Sequence, residues 1–175
     1  PRLLPTLFDP YDQDYFVDST PLVARLEQRH QARSVMPSNE ADAFIALLIE
    51  DMADEWFTKF MFSGRWHEPE DADFYGRYLG WFATAPSADD RYNSASQTMR
   101  DRQVGRNSIV GVTPANAPVV DATFRDLAGI LEQAFSTQMF LFGNRPSVAD
   151  FAIYGQLQPT LHAPSASRTL REVSP

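Results

Sequence analysis

The 175-residue chain has no cysteine, which excludes disulfides, thiolate metal sites and a cysteine nucleophile within it. Lysine is nearly absent too: Lys59 is the only one among 15 basic residues, a compositional bias to which we attach no functional weight. The three histidines, His30, His67 and His162, are not paired at ligand spacing, so no metal is expected on that ligand count. Cations are outnumbered, 15 against 23 acidic residues for a net charge of −8. Phosphate backbones demand clustered cations, so no nucleic-acid partner is expected. No stretch reaches the ~18 apolar residues of a membrane span. The longest run, Ala43 to Ile49, is broken at once by Glu50 and Asp51, and no membrane partner is expected. No signal-peptide pattern opens the sequence. The expectation is a cytoplasmic, helix-rich protein.

What is present is apolar and aromatic. Hydrophobic residues make up 43% and aromatics 13%, enough to bury a core in one domain, or in one domain and a piece of another. Residues 1–17 read as extended. Leu3, Leu4, Thr6, Leu7 and Phe8 form one short segment around Pro5, Asp9 to Asp14 is turn chemistry, and Tyr15-Phe16-Val17 is a second β-prone run. Two short strands alone are marginal in water, so further strands are expected to complete the sheet.

From Ser19 the period becomes helical. Ser19-Thr20-Pro21 is a start signal, a hydroxyl cap followed by proline, and Leu22, Val23 and Leu26 follow on one face. Residues 31–37 read as a linker. A long helix is predicted over 39–62, with Phe44, Leu47, Leu48, Met52, Trp56 and Phe60 as its apolar face and Ser63-Gly64 as its stop. Further helices are predicted at 70–83, 88–104, 117–136 and 148–158. Ser87 with Asp90 resembles an acidic capping box, and Val120, Phe124, Leu127, Leu131 and Phe135 form an apolar stripe. Ser147 and Asp150 form a second box as structural caps: Ser147 caps the first turn and Asp150 reaches back to the cap amide.

Three passages carry a family likeness. Phe140-Leu141-Phe142-Gly143-Asn144-Arg145-Pro146-Ser147-Val148-Ala149-Asp150-Phe151 is similar to the "FL-G-rPs-AD" helix start of the C-terminal domain of the glutathione S-transferase superfamily. Asp18-Ser19-Thr20-Pro21-Leu22-Val23 with Leu26-Glu27 resembles the passage that closes that family's thioredoxin-like domain. Leu4-Pro5-Thr6-Leu7 resembles its cis-proline strand. The stretch from Asp51 to His67 resembles a bacterial subgroup of transferase-like proteins.

The likeness implies a mainly α fold: a C-terminal-like helical bundle over 38–175, truncated, preceded by the end of a thioredoxin-like α/β segment over 1–33. It also implies that the β-α-β unit bearing the catalytic Tyr, Ser or Cys lies upstream of Pro1, so none of these residues is assigned the thiol-activating role. Glutathione is the implied co-substrate, a small electrophile the implied partner, and a homodimer the implied assembly.

Within that frame each candidate keeps two readings. Asp18 and Ser19 at a helix start suit the ammonium and carboxylate of a γ-glutamyl group, or Ser19 or Thr20 merely caps the helix. Leu4 before a cis Pro5 can offer its backbone to the cysteinyl part of glutathione like an added strand. The resemblance makes the long helix the wall of the electrophile pocket, with Trp56 or Phe60 facing it; core packing is the alternative. Glu50, Asp51, Asp54 and Glu55 read as solvated charge or salt links to Lys59 and the arginines. Glu27-x-x-His30 has the spacing of a di-iron motif, but such a centre needs two. A non-catalytic binding or assembly module on the same fold is the alternative function.

Overall fold

A computed structural model describes residues 4–84 and 90–174. It is mainly helical, with a short β-hairpin ahead of the helices. Strands β1 (Thr6–Asp9) and β2 (Asp14–Val17) pair antiparallel, Thr6 opposite Val17 and Asp9 opposite Asp14. The helices are α1 (Ser19–Arg29), α2 (Glu40–Glu55), α3 (Phe57–Trp66), α4 (Pro69–Thr84), α5 (Asp90–Val104), α6 (Ala117–Phe135), α7 (Val148–Thr160) and α8 (Pro164–Val173). No helix among the described residues is long and apolar enough to cross a membrane.

The hairpin is tied to α1 by charge. Asp9 and Asp12, at the turn, pair with Arg25 and Arg29, one helical turn apart; Arg29 reaches Asp12 at 2.6 Å. Burial pushes the Asp9 carboxyl up, but the Tyr11 amide, Arg29 and Arg25 outweigh it and hold it below the ordinary carboxylate value.

Helix α3 is central, packing against α2, α4, α5, α6 and α7. Its Phe57, Phe60 and Trp66 meet Tyr75 of α4, Phe124 and Leu131 of α6, Ile153 of α7 and Ala166 of α8 in one core. Pro159 lies inside α7, and its carbonyl accepts from the buried Tyr75 hydroxyl.

Several sequence expectations are corrected here. The predicted helix over 39–62 is two helices, broken at Trp56, where Lys59 N–H bonds back to the Trp56 carbonyl in a tighter i→i+3 step. Ser63-Gly64 does not end it. Ser63 Oγ donates to Asp121 at 2.9 Å, and a Cβ on Gly64 would sit 3.1 Å from Thr160 Cγ2, so these small residues serve close packing.

The predicted apolar face of α2 is turned outward: Phe44 is 65% exposed, Leu48 53% and Trp56 58%, with Leu47 and Met52 also exposed. The buried stripe is instead Ala46, Glu50 and Ala53, continued by Phe57. Small residues win that face because α7 lies against α2, where Ala46, Val148 and Ala149 form a small buried cluster of their own.

Helix α8 was not anticipated, although Ala163-Pro164 carries the proline-at-N1 signal. On α6 the expected stripe is buried at Val120, Phe124 and Leu131, while Phe135 is exposed. Ser87, one half of the first expected capping box, lies outside the described residues.

Candidate functional site

Where the hairpin, α1, α2 and α7 converge there is a cleft of about 340 Å³. Leu4 and Pro5 form one side, Ser19 and Val23 of α1 the next, and Glu50 and Asp54 of α2 the third. Phe151, Ala152 and Gly155 of α7 close it; a Cβ on Gly155 would meet nothing within 4 Å. The structure thus brings together three of the four residues predicted to hold glutathione, from segments well separated in sequence.

Each element has a local reason for its place. The Leu4–Pro5 bond is cis, as the resemblance implied, and Asp18 N–H bonds to the Pro5 carbonyl at 3.3 Å, joining the entry of β1 to the start of α1. Asp18, at φ 75, is the N-cap of α1, and its carboxylate accepts from Thr20 N–H at 3.4 Å. With ψ at 131 this backbone lies outside the left-handed helical well, a conformation that a residue other than glycine keeps only where its surroundings fix it.

The sequence pattern makes Ser19 or Thr20 the cap; the cap is Asp18, because its carboxylate reaches the Thr20 amide two residues on, within the first turn. The Ser19 hydroxyl makes no hydrogen bond among the described residues and lines the cleft. The exposed Leu4 backbone makes none either, while Thr20 Oγ1 donates to Glu50 Oε1 at 2.7 Å. Asp18 itself is not part of the lining.

Trp56 and Phe60, predicted to face an electrophile, are not brought to this cleft. Trp56 stands exposed at the α2–α3 break with Lys59 Nζ 5.2 Å from its ring centroid. Phe60 is core, its ring 5.1 Å from Phe57 and 5.9 Å from Phe124. A larger, almost wholly apolar groove of about 590 Å³ runs between the end of α6 and α7, lined by Leu131, Phe135, Met139, Tyr154 and Leu157. Phe151 borders both the groove and the cleft.

The Ser147–Asp150 capping box is present at the start of α7. Asp150 Oδ2 accepts from Ser147 N–H at 2.8 Å and from its hydroxyl at 2.6 Å, and Oδ1 accepts from Leu141 N–H at 2.9 Å. Val148 N–H bonds to the Val35 carbonyl at 2.9 Å, so the segment leading into α2 is pinned to α7 as well. Asp150 therefore holds the helix that floors the cleft. Asp150→Ala is expected to lower stability by about 0.5–2 kcal/mol, as lost caps do. An unchanged midpoint in chemical denaturation would remove that role.

The carboxylates of α2 are not all solvated or paired with Lys59 or an arginine, as the sequence leads one to expect. Glu50 is only 7% exposed, on the stripe that continues Ala46 and Ala53. Sequence reasoning missed it as a site residue; the available signal was its four-residue spacing from Ala46 and seven from Phe57 on one helical face. Glu27 accepts from Ser34 Oγ and from Val35 N–H at 2.9 Å, which gives this half of the Glu-x-x-His pattern a structural occupation. Among the described residues no group of three or more His, Asp or Glu is gathered as a metal site. No protein-family model and no curated protein matches the chain.

Proposed function

We propose that the chain is a glutathione S-transferase-like protein that binds glutathione in the cleft beside Leu4, Pro5 and Ser19. In its intact form it conjugates or reduces small electrophiles with that thiol. The observation that carries this reading is the unengaged Ser19 hydroxyl in the first turn of α1, lining the same cleft as the free Leu4 backbone. A helix N-terminus with a hydroxyl suits the γ-glutamyl carboxylate. The Leu4 N–H and C=O suit the cysteinyl backbone, paired as an added strand.

The electrophile belongs in the apolar groove that shares Phe151 with the cleft, since small-molecule sites are mostly apolar with few polar anchors. The chemistry is thiolate activation followed by attack on the electrophile. The activating hydroxyl or thiol is assigned to none of these 175 residues. We place the protein in the cytoplasm, without a metal, as a homodimer.

The test is retention on immobilised glutathione. The parent is expected to be retained, and Ser19→Ala to bind at least about tenfold more weakly, the effect of one charge-assisted hydrogen bond. Equal retention of the two would remove the site assignment. A second reading, a non-catalytic assembly module on the same fold, is favoured by the outward row Phe44, Leu47, Leu48 and Met52 on α2. It expects retention without any conjugation of a chromogenic aryl halide, whereas the transferase reading expects conjugation by the intact protein that carries the activating group.

A further inference from the structure

Glu50 and Asp54 stand one helical turn apart on α2 and line the cleft opposite Ser19. Glu50 is more than nine-tenths buried, yet its only hydrogen bond among the described residues comes from a neutral hydroxyl, Thr20, onto Oε1. No bond reaches Oε2, and no arginine or lysine among the described residues pairs with the group. A buried carboxylate without a cation is costly, and such groups are ordinarily paired. Glu50 lines this cleft together with Asp54, and it also borders a small apolar pocket with Val23, Met36 and Leu47.

Asp18, by contrast, is exposed, lies outside the lining and directs its carboxylate to its own helix. The cleft therefore has two poles from two elements: the first turn of α1 with Ser19, which suits an anion, and Glu50 on α2, which suits a cation. An amino-acid head group carries both charges on one carbon.

We infer that Glu50, not Asp18, receives the ammonium group of the ligand, so that the cleft selects molecules ending in a zwitterionic amino-acid head. Asp54 on the exposed rim adds to the negative field at that pole. This rests on the glutathione reading and refines it: it names the residue that makes the head group a requirement.

The experiment is calorimetric titration of the full-length protein with glutathione and with its des-amino analogue, which keeps the carboxylate and loses the ammonium. The parent is expected to prefer glutathione by about tenfold or more, the effect of one buried ion pair. Glu50→Gln is isosteric and can still accept from Thr20, and is expected to bind both compounds within about twofold. Asp54→Lys sits on the exposed rim, so it leaves folding intact; it supplies an ammonium beside Glu50 and is expected to erase the preference as well. Asp18→Asn is expected to keep the parent's preference.

A preference that survives in Glu50→Gln and Asp54→Lys overturns the assignment while leaving glutathione binding in place. So does a preference lost in Asp18→Asn alone, or a parent that binds both compounds equally. A parent that binds neither compound overturns the glutathione reading itself, and this inference with it.

Discussion

Gly80→Ala should lose stability, by about 1–3 kcal/mol, at a position where helix propensity alone would gain about 1 kcal/mol. Gly80 is buried in α4, where that helix crosses α5. A Cβ there would stand 2.3 Å from Ser96 Oγ and 2.8 Å from both the Cα and the amide nitrogen of Ser96. The hydroxyl could rotate away; the backbone of α5 cannot without separating the helices. One turn earlier a Cβ on Gly76 would meet Arg100 Cβ at 2.9 Å, so the two glycines form the seam along which α4 and α5 pack antiparallel. Chemical denaturation gives the sign directly. A midpoint at or above the parent's would mean that the helices are not in this close contact.

The second large effect is expected at Asp71, in the first turn of α4 and fully buried. Its carboxylate accepts from Ser165 N–H at 3.0 Å and from the Ser165 hydroxyl. Ser165 lies in the first turn of α8, which has no side-chain cap of its own, since Ala163 holds the N-cap position. Asp71 thus caps a helix 94 positions further along the chain. Asp71→Ala leaves the half-buried amide and hydroxyl of Ser165 unpaired and deletes a negative charge at a helix N-terminus. The expected loss is about 2–3 kcal/mol, with α8 the first element to exchange its amide hydrogens. Arg168 and Glu70 also join α8 to α4, at 3.1 Å, but both are well exposed and such a pair adds little. If Asp71→Ala denatures like the parent and the α8 amides keep their protection, the capping role is wrong.

Neither residue could be picked out from the sequence. Gly80 reads there as a helix-weakening residue, and Asp71 as one acid in an acidic first turn. Their importance lies in what α5 and α8 bring to them, and local periodicity carries no information about partners far along the chain. The same limit explains α2. Phe44, Leu47, Leu48 and Met52 satisfy the helical period as well as any core face does, yet the buried face belongs to Ala46, Glu50 and Ala53. Periodicity shows that an apolar row exists; it does not say whether that row meets the core or stands outward.

The candidate site was legible in part. Leu4, Pro5 and Ser19 were readable because their order along the chain resembles a family pattern, and all three line one cleft. Asp18 was singled out for its charge, but it was the helix start that claimed it as a cap. Glu50 was invisible among four neighbouring acids, since burial is a property of the packed α2–α7 pair and not of the residue type.

By itself, then, the sequence determined the elements whose causes are local. The hairpin follows from β-prone runs on either side of a turn, and the helices from apolar period and capping residues such as Ser147 and Asp150. The mainly helical class follows from their sum. Only the tertiary structure decided which face of α2 is buried, where α8 is capped, and which carboxylate enters the cleft. Those depend on close approach between segments distant in sequence, where a missing Cβ at Gly80 or a small side chain at Ala46 outweighs local preference.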